Sequence, residues 1–203
     1  MIRHSSSNLD DIKDFKLTKL ENPKFLFTAL VHYKQNGISK TWEVVDASDS
    51  VAILIYHKDK DAFVLVKQFR PAVYLNNQKG ITIELCAGIV DKDLSLVDIA
   101  KEEIEEECGY KVDSKDIQKI TSFHTSVGFA GSKQTLYYVE VDESMKVSDG
   151  GGVDTELIDV VFLSIEQSKD FIYDESVAKT PGLMFAFMWW FERFKKTSIS
   201  FPL

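Results

Sequence analysis

Two cysteines in 203 residues, Cys86 and Cys108, are too few for a disulfide framework. Cys86 falls in a strand-like run and Cys108 on a helical apolar stripe, so both are expected to be buried, reduced and inert. Long hydrophobic runs are missing too. The longest, Leu183–Phe191, is too short to span a bilayer. Met1–Asp10 is polar and carries no secretory pattern, so the expected compartment is the cytoplasm. Positive charge is scarce: 24 Lys and Arg stand against 32 Asp and Glu, a net charge of −8. That balance argues against a nucleic-acid backbone or an anionic membrane as partner. His4, His32, His57 and His124 are scattered without metal-ligand spacing. No internal repeat occurs, and nothing of low complexity beyond Gly150–Gly152.

What is present is a core-forming composition, 44% hydrophobic with 14 Phe, ample for one domain plus a small appendage. Met1–Asn8 reads as a disordered start. Phe25–Tyr33 and Thr41–Val45 read as strands joined at Gln35-Asn36-Gly37, since Asn-Gly is a strong hairpin signal. Val51–His57 and Ala62–Phe69 form a second hairpin around Lys58–Asp61. Ile81–Leu85, Ile120–Thr125, Thr135–Val141 and Leu157–Leu163 are further strands, and Ser148–Thr155 is a flexible loop. Ile165–Phe171 and Pro181–Phe194 read as helices. Strands interspersed with helices imply a mixed sheet with helices on its faces. The last helix is apolar nearly all round, so it is covered on more than one side. A central core helix and a subunit interface both satisfy that.

The stretch from Gly88 to Tyr110 is the most informative. Ser95 followed by Asp98 is a helix start, Leu96, Ala100, Ile104 and Cys108 recur four apart, and Gly109 is a natural stop. Glu102, Glu103, Glu105, Glu106 and Glu107 therefore crowd the C-terminal turns, where the helix dipole disfavours anions and they repel one another. At roughly 100° per residue, Glu103, Glu106 and Glu107 share the side that the apolar stripe presents to the core, while Glu105 points away. No Lys or Arg lies in this turn to balance them. A solvated acidic face is the bland reading. Carboxylates turned inward need a counter-charge, and a hard divalent cation with oxygen ligands supplies one.

Gly88, Glu103, Ile104, Glu106, Glu107, Gly109 and Tyr110 keep the spacing of the Nudix box, G-x5-E-x7-R-E-U-x-E-E-x-G-U. Two positions depart: Leu94 stands for the first Glu and Glu102 for the Arg that orients the metal-binding glutamates in the family. The likeness extends to residues 32–56, QFRPAVY at 68–74, ELCAG at 84–88 and residues 126–141. The chain thus resembles the UDP-sugar and ADP-ribose pyrophosphatase branch of the Nudix hydrolases, most of all the UDP-glucose pyrophosphatase type. The resemblance implies an α+β fold, an α/β/α sandwich on a mixed sheet, with an N-terminal antiparallel strand region. Residues 1–46 would form that extension and serve dimerisation, and 47–203 the hydrolase domain.

The same resemblance implies Mg²⁺, with Mn²⁺ as substitute, held by Glu103, Glu106, Glu107 and the backbone carbonyl of Ala87. The implied reaction is hydrolysis of a nucleoside diphosphate sugar to a nucleoside monophosphate and a sugar phosphate, UDP-glucose being preferred and ADP-ribose the alternative. Glu106 and Glu107 would carry catalysis, with Asp154 or Glu156, beside the Gly150–Gly152 run, as general base. Arg70 would contact phosphate or ribose through its planar fork, the alternative being an arginine of a surface salt bridge. Gly128 and Lys133, in the loop Ser126–Lys133, would meet phosphate or sugar. Aromatic faces accept any base, so Trp42 and Phe25 are candidates to stack on it; packing in the core or at an interface is the other reading. The alternative from another class is a catalytically weakened nucleotide-sugar-binding module, motivated by Leu94 and Glu102. The expected assembly is a homodimer.

Overall fold

The computed structural model describes residues 8–24 and 26–195. Phe25, and the Met1–Ser7 part of the expected disordered start, lie outside the described residues. Strands β1 (Phe27–Gln35) and β2 (Ile38–Asp46) form a two-stranded antiparallel sheet of their own, in continuous register from Phe27 opposite Asp46 to Gln35 opposite Ile38. Asn36 and Gly37 turn the corner with φ of 54° and 79°, the left-handed pair that a tight hairpin demands.

The main sheet is mixed. Strand β3 (Ser50–His57) runs antiparallel to β4 (Ala62–Phe69). Helix α1 (Pro71–Asn77) follows, then β5 (Ile81–Glu84) and β6 (Cys86–Ile89). Helix α2 (Leu96–Cys108) leads to β7 (Gln118–His124) and β8 (Lys133–Val141). The chain then forms β9 (Ile158–Ser164), α3 (Ile165–Phe171), β10 (Ala178–Lys179) and α4 (Pro181–Trp190), which ends in a π-helical turn, Phe191–Lys195. β3 pairs in parallel with β8 and antiparallel with β6; β9 lies antiparallel on β4.

Alternation along the central strands sends apolar side chains to both faces, as it must in a sheet covered twice. Val51, Ile53, Ile55, Val64 and Val66 pack under α2 with Ile99, Ala100, Ile104 and Cys108. Ala52, Leu54, Phe63 and Leu65 face α4 with Leu183, Ala186, Phe187 and Trp190. This is an α+β architecture of helix, sheet and helix. Three features went unread in the sequence: α1, the short β10, and the fact that Ala87-Gly88 is strand rather than turn. The apolar α4 buries Leu183, Ala186, Phe187 and Trp190 while Phe185 and Met188 stay exposed, so within this chain it is covered on one side and not, as expected, on more than one. No described helix is long and apolar enough to cross a membrane.

Candidate active site

Helix α2 starts and stops as its residues dictate. The Ser95 side chain accepts from the Asp98 N–H, and Gly109, at φ 78°, donates to the carbonyls of Glu105 and Ile104. The glutamates then fall into place around its last turns. Glu107 is buried, and its Oε2 accepts from the Ala87 N–H of β6 at 2.9 Å. Glu103 packs directly on the Gly88 backbone, so closely that a Cβ there would run into its carboxylate. The requirement for glycine at 88 is thus a close approach of helix side chain to strand. Glu105 is exposed, as its place on the helix predicts, and Glu106 is half-buried.

The electrostatics record the missing counter-charge. Burial, with Glu106 beside it, raises Glu103 to about 7, against a smaller opposing pull from Lys92. Burial raises Glu107 to about 8, despite the Ala87 N–H, and Glu103 and Glu156 add to the rise. Neither carboxylate makes an ion pair among the described residues.

Arg70 caps the end of β4 and projects toward the same cluster. Its Nε and Nη2 donate to the two oxygens of Glu84 at 2.8 and 2.9 Å, a planar fork on a planar carboxylate. The Thr82 hydroxyl fixes Glu84 from the other side at 2.6 Å. The Glu84 bond lifts the Arg70 pKa, with Glu107 and Glu156 contributing. Glu84 was not anticipated. Its place beside Arg70 follows from the β4–β5 register, which no local pattern discloses.

The loop after the short helical turn Glu143–Met145, expected as a flexible segment, is hydrogen-bonded to the end of α2. Gly151 and Gly152 donate to the Glu107 and Glu106 carbonyls at 2.9 and 3.1 Å, and Val147 and Ser148 donate to Gly109. The glycine run is a cap on the C-terminus of α2, where orphan carbonyls need donors. Of the two proposed loop carboxylates, Glu156 is brought to the cluster: it acts on Glu103, Glu107 and Arg70, and its Oε2 accepts from the Val153 N–H at 3.0 Å. Asp154 sits exposed at φ 52° and takes no part in those interactions.

Trp42 and Gly128 meet elsewhere: the indole N–H donates to the Gly128 carbonyl at 2.6 Å, and Val45 donates to Phe129, seating the β7–β8 loop on the hairpin. Lys133 opens β8. Its N–H goes to Asp49, and it stands next to Gln134, which is in register with Ser50 and, one strand further, Ile89. Lys133 thus lies at the sheet end that carries Gly88. His124 binds the Gly131 carbonyl through Nδ1 at 2.8 Å.

No protein-family model matches the chain. Individual relatives do. Uridine diphosphate glucose pyrophosphatase of Bos taurus is 38% identical over 196 aligned residues, covering 82% of this chain and 88% of the relative. Its counterpart in Mus musculus is 34% identical over 192, covering 80% and 86%. The chain is a Nudix hydrolase. GDP-mannose pyrophosphatase of Salmonella typhimurium is a further relative, 38% identical over 142 residues that cover 68% of this Nudix chain and 73% of the other.

The donor set of this Nudix site is oxygen only, partly buried and short of positive charge, which suits a hard divalent cation. Among the described residues no group of three or more His, Cys, Asp or Glu is arranged to hold a metal ion as it stands. Glu107 is committed to the Ala87 N–H instead. The fit therefore rests on Glu103 and Glu107, whose burial favours any partner that makes ionisation cheaper.

Proposed function

We propose that this Nudix hydrolase cleaves the diphosphate bond of a nucleoside diphosphate sugar, UDP-glucose by preference, to a nucleoside monophosphate and a sugar phosphate. Mg²⁺ is the required ion, with Mn²⁺ as substitute. One observation carries the reading: Glu107 is buried and Glu103 half-buried against the strand backbone at Ala87-Gly88, and neither makes an ion pair among the described residues. The names of the mammalian relatives support the uridine nucleotide, and the bacterial ones keep GDP-mannose as a second substrate to test.

Glu103, Glu106 and Glu107, with the Ala87 carbonyl, would hold the ion. A bound divalent ion neutralises phosphate oxygens and makes its water more acidic. Arg70, fixed by Glu84, presents its remaining N–H groups to a phosphate oxygen and so orients the diphosphate. Glu156 accepts the proton of the attacking water; its place beside Glu103 and Glu107 favours it over Asp154. Lys133 meets the second phosphate or the sugar, and Trp42, fixed by Gly128, meets the base.

The working unit is a homodimer joined through the β1–β2 hairpin. One face of that hairpin, Phe27, Val31, Tyr33, Ile38 and Trp42, is apolar and exposed, with Phe27 at 62%. An isolated two-stranded sheet is marginal in water without something on its apolar face.

A nucleotide-sugar panel with Mg²⁺ tests the reading. UDP-glucose, GDP-mannose and ADP-ribose are offered and products are separated by anion exchange. UMP and glucose 1-phosphate are expected from the first. Binding of nucleotide sugars without metal-dependent turnover would overturn hydrolysis and leave a sensor module, the reading that Leu94 and Glu102 favour.

A further inference from the structure

Position 102, where the family box carries a cation, holds a glutamate, yet a cation is still present beside it. Lys92, in the loop between β6 and α2, donates to Glu102 Oε2 at 2.6 Å. Glu106 follows Glu102 by one turn on the same side of the helix, so an ammonium held on the Glu102 carboxylate stands beside Glu106. Glu106 and Glu103 each act on Lys92, after the Glu102 bond, which is the main cause of its raised pKa.

The loop that carries Lys92 is short and pinned at both ends. The Val90 N–H donates to the Asp49 carbonyl at 2.8 Å, and Ser95 caps α2. The backbone on either side of Lys92 is thus fixed, and the Glu102 carboxylate holds its ammonium. The pair is also a poor device for stability, since its side chains are 44% and 40% exposed and exposed ion pairs contribute little.

We propose that Lys92, held by Glu102, does from the loop what an arginine at position 102 would do from the helix: it is a positioning residue that orients Glu106 and Glu103 for a divalent cation. The charge has moved from the helix to the facing loop, and the pairing is reversed. The proposal rests on the reading of the site under Proposed function.

The test separates positioning from net charge. Lys92→Met with Glu102→Gln removes the pair while keeping the total charge. Lys92→Glu with Glu102→Lys also keeps it but returns the cation to the helix. Mg²⁺ affinity of the full chain is measured by titration calorimetry without nucleotide, and kcat and KM are measured with UDP-glucose. The neutral pair should bind Mg²⁺ about tenfold more weakly, the loss usual for a partner that orients a ligand, with kcat falling and KM steady. The melting temperature should hardly move. The swapped pair should recover most of the affinity. A neutral pair with wild-type affinity and kcat overturns the proposal, and so does a swapped pair that loses as much as the neutral one. Wild-type protein with no Mg²⁺ affinity overturns the reading of the site and this proposal together, a result distinct from either of those.

Discussion

Two regions of this protein violate the ordinary burial rule in opposite directions. On the β1–β2 hairpin, Phe27, Val31, Tyr33, Ile38 and Trp42 stand in water. At the end of α2, Glu107 is drawn out of it and Glu103 half so. Each disposition is unfavourable for the lone chain, the first through unburied apolar area and the second through desolvated charge. The two misplacements call for different partners. Apolar area is non-directional and is satisfied by any complementary surface, including a second copy of the same hairpin. A pair of carboxylates is satisfied by a small, hard, multiply charged ion. Neither region can be repaired by repacking within the chain, because the hairpin is a separate sheet and the glutamates are fixed against β6.

Glu107→Gln tests the acidic half most severely. It keeps the hydrogen bond geometry available at Ala87 but deletes a charge, and kcat should fall by about 10²-fold or more, as for the loss of an organised charge-stabilising group. The metal-free variant should be more stable than wild type at pH 8. Because burial raises the Glu107 pKa to about 8 from an ordinary 4.5, the native state resists ionisation that the unfolded chain accepts. Stability is thus lost as pH rises through that interval, and glutamine removes the loss. Single-turnover kinetics and thermal melts with and without Mg²⁺ measure both. A variant that is inactive yet melts lower at pH 8 would mean that the carboxylate is structural.

Val31→Asp tests the apolar half. Val31 lies mid-strand opposite Trp42, on the exposed apolar face. A charge at the centre of the proposed subunit interface should weaken dimerisation by about 30-fold or more. Light scattering over a concentration series reads this directly. The monomeric variant should keep the main-sheet fold by circular dichroism, since Val31 contributes nothing to the two cores on either side of that sheet.

How far the sequence disclosed these regions depends on the range of the interactions involved. The limits of α2, the Asn36-Gly37 turn and the inward glutamates were legible because capping, turn conformation and helical periodicity act within a few residues. The place of Glu84 under Arg70 was not, since it depends on β4–β5 register. The strand at Ala87-Gly88 was missed for the same reason: it exists through pairing with β3. The glycine run Gly150–Gly152 was read as mobile from composition alone. In the fold its N–H groups cap α2, a task visible only once the helix end and the loop are side by side.

Gly88→Ala sharpens the acidic half without touching a charge. The added Cβ meets the Glu103 carboxylate, so that side chain must turn away while its charge remains. Mg²⁺ affinity should drop about tenfold, the loss expected when a ligand is misoriented, with the melting temperature of the metal-free form nearly unchanged. Calorimetric titration decides it. Undiminished affinity would mean that Glu103 reaches the ion from elsewhere or is dispensable.

His57 supplies the control, a buried titratable group that settles its burial internally. The ring is fully buried at the end of β3, Lys60 donates to Nε2 at 3.1 Å, and Nδ1 has no partner among the described residues. Burial and then the Lys60 charge hold its pKa below 6.5, against the pull of Glu143 and Asp59. A histidine can shed its proton and stay neutral at physiological pH, whereas Glu103 and Glu107 cannot go neutral and still bind a cation. Between pH 6.5 and the lower native value, the unfolded chain takes up a proton that the native state refuses. Stability should therefore decline as pH falls through that window and be fully present above it. Denaturant midpoints measured from pH 7.5 downward should show this shallow slope in wild type and lose that component in His57→Gln. Unlike the rise in stability expected on neutralising Glu107, the effect should not respond to Mg²⁺. If it did, His57 would belong to the acidic site after all.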